Sequence, residues 1–167
     1  MPTYTRRTRV EAPFAAVWEF HSRIEGLEAL TPGWTNLRVE AVTGPDGDPD
    51  PDVLAADSRI RLSVRPFGVG PRQRVVSLIT DRESGDGSAR FVDEMVEGPP
   101  VAWEHTHSFF DDGDETVVQD RVAYDLPTAV GSALSPLGRV GLGPLFRYRH
   151  RRTRELLEGP GSPERPV

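Results

Sequence analysis

The chain has 167 residues, a length that suits one domain around a single core. Its 20 basic residues are all Arg and face 26 acidic ones, for a net charge of −6, and Cys and Lys are both absent. Those absences exclude disulfides, thiolate catalysis, Cys-ligated zinc and lysine Schiff bases. No apolar run approaches the roughly 18 residues of a membrane span, and Met1 to Arg7 lacks the apolar core of a signal peptide. A soluble, cytoplasmic protein is expected. From Arg139 to Arg154 there are six Arg and no acid, so the remainder carries 14 Arg against 26 acids, or −12. That stretch reads as a solvated helix face. The acidity around it opposes attraction to phosphate, so neither a nucleic-acid partner nor membrane contact is expected.

Tyr4 to Val10 alternates and is rich in β-formers, which predicts a first strand. Pro13 suits the first turn of a helix, and Phe14, Val17, Trp18, Phe20 and His21 follow near helical spacing. Gly26 is expected to separate this helix from a short second one, Leu27 to Leu30, which Thr31-Pro32-Gly33 stops. Leu37 to Val42 predicts the second strand. Thr43 to Asp57, with three Pro and five Asp, predicts a flexible acidic loop. Further strands are expected at Arg59 to Val64, Arg72 to Thr80, Ala89 to Glu97, Trp103 to Phe110 and Thr116 to Leu126. Polar turns separate them, the last being Asp111-Asp112-Gly113-Asp114. After Thr128 several Gly and Pro interrupt the pattern, so a firm helix is predicted only from about Pro144 to Glu158. Its apolar stripe is read as Leu145, Tyr148, Arg152 and Leu156. One domain over 1–158 and a disordered tail over 159–167 are the expected organisation.

Side chains alternate across a strand, so Trp103, His105, His107 and Phe109 share one face and Glu104, Thr106 and Ser108 the other. Two of the four histidines therefore stand among large apolar rings, where a polar group needs a partner or a purpose. In the last strand Thr116, Val118, Asp120, Val122 and Tyr124 form the inward face. For Ala89 to Glu97 the pattern leaves two choices open: Phe91, Asp93 and Met95 inward, or Val92, Glu94 and Val96. His21 reads as a capping or surface histidine and His150 as a solvated one.

Several motifs carry a resemblance. Pro13-Phe14-Ala15-Ala16-Val17-Trp18-Glu19-Phe20 resembles the opening P-x-x-x-V-W-x-F pattern of the SRPBCC superfamily, the START and polyketide cyclase-like proteins. Phe91-Val92-Asp93, Gly98-Pro99, Trp103-Glu104-His105-Thr106-His107-Ser108-Phe109 and Thr116 through Pro127 resemble a prokaryotic branch of it, some members of which are fused to sugar-nucleotide epimerases. The resemblance covers nearly the whole chain. It implies an α+β helix-grip fold: a curved antiparallel sheet of six to seven strands wrapped around a long C-terminal helix, with two short helices after the first strand. It also turns Phe91, Asp93 and Met95 inward. With strands roughly 4.8 Å apart, Asp93, His105, His107 and Asp120 can then form one cluster across three neighbouring strands.

The resemblance implies a cavity that takes a hydrophobic or aromatic small molecule, with Phe91, Met95, Trp103, Phe109, Val122 and Trp34 as ligand-binding residues and Trp34 near its mouth. Phe14, Phe67 and Leu145 are further candidates for the lining. A non-catalytic binding protein is the first reading, the cluster being its polar anchor or a structural pin. A cofactor-free cyclase or dehydratase is the second, with Asp93, His105, His107 and Asp120 moving protons and Tyr124 donating to an enolate oxygen. A two-His-one-carboxylate metal site is a further alternative, but Trp103 and Phe109 would box it in, and neither metal nor cofactor is expected. The third reading is an interaction or membrane-surface role through the Arg-rich helix. Ligand identity and oligomeric state stay open.

Overall fold

The structure, a computed structural model, describes residues 1–125 and 128–159. In chain order the elements are β1 (Thr3–Val10), α1 (Phe14–His21), α2 (Ile24–Ala29), a 3-10 turn at Gly33–Thr35, β2 (Arg38–Thr43), β3 (Arg59–Val64), a 3-10 turn at Pro66–Gly68, β4 (Gln73–Gly85), β5 (Ser88–Glu97), β6 (Ala102–Asp112), β7 (Glu115–Asp125) and α3 (Thr128–Leu157). The seven strands form one antiparallel sheet in the order β1-β7-β6-β5-β4-β3-β2. β2 to β7 are sequential neighbours, as short turns dictate, and only β1 crosses to pair with β7. The expected tail, apart from its first residue, lies outside the described residues, as do Leu126 and Pro127.

The concave face of the sheet carries two apolar cores. One joins Val10, Val17, Ile60, Ile79, Phe91, Phe109 and Val118, roofed by α1 and α2 through Phe14, Trp18 and Leu27. The other joins Val122, Tyr124, Leu142 and Phe146, with Tyr4 stacked on Phe146 at 5.5 Å. The sheet is thus covered by α1 and α2 over one core and by α3 over the other. Trp18 makes this possible: its ring meets Phe109 edge-on at 5.4 Å, and the Arg82 guanidinium lies 4.4 Å from its centre.

Three local expectations are corrected. Gly26 lies inside α2 and does not divide the helices. A Cβ there would collide with the Phe20 carbonyl oxygen, so the glycine allows α2 to turn back against the end of α1. The acidic loop is anchored: Leu54 is buried, its N–H donates to the Ser22 carbonyl at 2.9 Å, and the Asp57 N–H donates to Ile79 at 2.7 Å. One leucine in the core outweighs a composition that reads as flexible. Finally, α3 begins at Thr128 rather than near Pro144, and its buried stripe is Leu142, Phe146, His150 and Thr153. Each Gly costs a helix only about 1 kcal/mol, which packing of that stripe overrides.

Candidate functional site

Between the two cores runs a polar seam. Along β7 the inward sequence is Val118, Asp120, Val122; along β6 it is Phe109, His107, His105, Trp103; along β5 it is Phe91, Asp93, Met95. Register sets the seam. Asp93 lies directly across from His105, and His107 directly across from Asp120. The hydrogen bonds run along the diagonals: His105 Nε2 to Asp120 Oδ1 at 2.8 Å, and His107 Nε2 to Asp93 Oδ1 at 3.0 Å. Ser77 on β4 donates to the other Asp93 oxygen at 3.2 Å. The edge distances are 3.7 Å from His105 Nδ1 to Asp93 Oδ1 and 3.1 Å from His107 Nδ1 to Asp120 Oδ1, the second out of line for a hydrogen bond.

A fifth member comes from α3. His150 is buried and donates from Nε2 to Asp120 Oδ2 at 2.5 Å. Asp120 therefore faces three imidazoles, two on its sheet side and one on its helix side. His150 was expected in solvent. Its spacing gives the signal: it lies four residues beyond Phe146, which lies four beyond Leu142, whereas the predicted stripe was offset by the run of Arg around it. His21 is also buried, donating from Nδ1 to the Val17 carbonyl at 2.8 Å with its ring 4.8 Å from Phe109. A ring that satisfies itself on the preceding turn has no need of solvent.

Charge in the seam follows from burial against partners. Burial opposes ionisation of Asp120, but the close imidazoles of His105, His107 and His150 outweigh it and hold the carboxyl well below its usual range. Burial likewise opposes ionisation of Asp93, and His107 and His105 reverse it, leaving it lowered. Burial and the neighbouring His107 push His105 down despite Asp120. For His107, burial is overcome by Asp120 and Asp93 together, and its basicity is raised. Burial alone dominates His21, whose pKa falls to about 3.

The seam lies on the wall of a cavity of about 450 Å³. Asp93, His105, His107 and Ser77 line it, with Leu27, Leu62, Val75, Ile79 and Leu145 among the apolar walls. Of the residues predicted to bind a ligand, Phe91, Met95 and Trp103 line it. Phe109 is fully buried in the first core, beneath Trp18 and Phe91, and is not part of the lining. Val122 and Tyr124 belong to the second core and are not part of it either. Trp34 is 42% exposed and stacks flat on Phe67 at 4.9 Å, outside the cavity, although the adjoining residues Thr35 and Pro66 are part of its lining. Phe67 itself is 73% exposed. The Arg-rich helix is not wholly a solvated face. Arg149 is half-buried and lines the cavity, and its buried Nε has no hydrogen-bond partner. Arg147, Arg151 and Arg154 instead surround an outer cleft with Arg6, Trp34 and Tyr148.

No protein family's sequence profile matches the chain, and none of the curated proteins does. Solved structures do. A START superfamily protein from Mycobacterium smegmatis superposes with a TM-score of 0.63 at 14% identity, over 93% of this chain and 97% of that one. This is the helix-grip fold. Norcoclaurine synthase from Thalictrum flavum, solved in complex with dopamine and hydroxybenzaldehyde, superposes at 0.63 and 16% identity, over 96% and 89% of the two chains. A nucleoside-diphosphate sugar epimerase from Corynebacterium glutamicum superposes at 0.60 and 21% identity over 91% of this chain, which spans only 28% of that protein. At these identities the likeness shows the shared fold, which here is built as a seven-stranded antiparallel sheet with a C-terminal helix. Among the described residues no helix is long and apolar enough to cross a membrane.

Proposed function

We propose that the chain binds a hydrophobic or aromatic small molecule in the cavity, with an oxygen-bearing end against the polar seam. The observation that carries this reading is the cavity itself: apolar in most of its lining, with Asp93, His105, His107 and Ser77 gathered on the sheet and Arg149 contributed by α3. A hollow with few, convergent polar groups is how small-molecule sites are built. The unpaired Arg149 Nε gives an oxygen acceptor a reason to bind there, because an unmade buried hydrogen bond costs about 1–3 kcal/mol. The aromatic aldehyde and amine held by norcoclaurine synthase support the reading for a chain of the same fold.

The test is displacement of an apolar fluorescent dye, anilinonaphthalene sulfonate, by a panel of aromatic alcohols and acids. Met95→Trp and Leu62→Trp each place an indole in the hollow. Both are expected to weaken binding tenfold or more while the melting temperature holds. Equal affinity in wild type and both variants would reject the cavity as the site.

A further inference from the structure

We infer that Asp93, His105 and His107 form a site for one divalent transition-metal ion on the cavity wall. The three residues each offer a ligand atom within 4.8 Å of the others, and they are the group among the described residues with that property. The spacing is tighter than the limit requires. Asp93 Oδ1 lies 3.0 Å from His107 Nε2 and 3.7 Å from His105 Nδ1. Metal–nitrogen and metal–oxygen bonds of about 2.0–2.2 Å place adjacent ligands roughly 3.0 to 3.7 Å apart for angles between octahedral and trigonal. Two imidazoles and one carboxylate on one face, with open positions toward a cavity, suit zinc or ferrous iron and its neighbours.

The second argument is the layer behind the ligands. A metal-bound imidazole almost always donates its other N–H to a carboxylate. Here the ring atoms that would be left over, His105 Nε2 and His107 Nδ1, lie 2.8 and 3.1 Å from the same oxygen, Asp120 Oδ1. The His105 N–H already donates to Asp120, and His107 Nδ1 lies close enough to reach the same oxygen after a small turn of its ring. His150 holds the other Asp120 oxygen and fixes the carboxylate's tilt. The His107–Asp93 hydrogen bond is the contact an ion would replace, after which His107 Nδ1, buried and unpartnered without one, becomes a donor to Asp120. Formal charge closes too: two buried carboxylates meet one dication. The aromatic box expected from Trp103 and Phe109 does not close over the site, since Phe109 lies off the lining and Trp103 shares it with the ligands. The inference rests on the ligand-binding reading only in placing the ion in that cavity, where an oxygen of the guest could complete its coordination.

The experiment uses the whole chain, stripped with chelator and titrated with Co²⁺ under dialysis. One Co²⁺ per chain with visible d–d absorption of an N,O-ligated site is expected, displaced by Zn²⁺. Asp93→Asn and His107→Ala should weaken uptake at least 100-fold, and Asp120→Asn by 10- to 100-fold. Should those variants fail to fold, wild-type Co²⁺ protein carries the test by nuclear magnetic resonance: two hyperfine-shifted, exchangeable imidazole N–H signals are expected. Absence of uptake by folded wild type, uptake unaffected by the variants, or absence of the shifted pair each overturns the site. Dye displacement on the metal-free protein is scored separately, so loss of one proposal does not decide the other.

Discussion

Asp120 shows how a single inward carboxylate organises its surroundings. It sits between valines on β7, a position that would be costly for a lone charge. Three imidazoles around two oxygens make it sustainable. His21 is a different case, because it has a carbonyl to donate to and no carboxylate bound to it. Its pKa of about 3 in the fold lies below its ordinary 6.5. Between those values the unfolded chain takes up a proton that the native ring refuses. Its contribution to stability is therefore complete above pH 6.5 and is lost as pH falls toward 3, at about 1.4 kcal/mol per pH unit. His21→Gln should flatten that part of the stability profile, read by urea denaturation at several pH values. A slope identical to wild type would mean the ring is not held neutral.

Among the elements, strands were far more legible than helices. Alternation placed β1 and β3 to β7 because each has one wet and one buried face. It also placed Asp120, His105 and His107 inward, while Asp93 needed the resemblance because both faces of β5 carry apolar and acidic residues. The helices resisted for physical reasons. α3 contributes a histidine, not a leucine, to the seam, so an apolar count misphases it, and its contribution becomes visible only against Asp120. α1 and α2 form a roof only because Gly26 lets their backbones approach, a tertiary contact that composition cannot report. Gly26→Ala is expected to cost about 1–3 kcal/mol through that collision, where an unobstructed mid-helix glycine would be stabilised by about 1 kcal/mol by the same change. Chemical denaturation decides it: a neutral or stabilising effect would show that α2 can move away freely.

The whole molecule is one sheet with two cores and a polar seam between them. β6 and β7 run through both cores and the seam, whereas β2 is an edge strand with a single neighbour. Native-state hydrogen exchange should therefore find the slowest amides in β6 and β7, opening only on global unfolding, and faster local opening in β2. Equal protection in the two regions would contradict this division. The His150–Asp120 bond has a consequence for traffic. It fastens α3 to the seam, so lifting that helix would strand a buried charge. β3, which carries the opposite wall, is three strands from β6, or ~14 Å away. A guest in the cavity is therefore held between β3, β6 and α3 at once, with Thr35 and Pro66, the sequence neighbours of the stacked Trp34 and Phe67, also in its lining. The indole of Trp103, part of the lining itself, is thereby a built-in doorbell, whose emission should change on arrivals without any label.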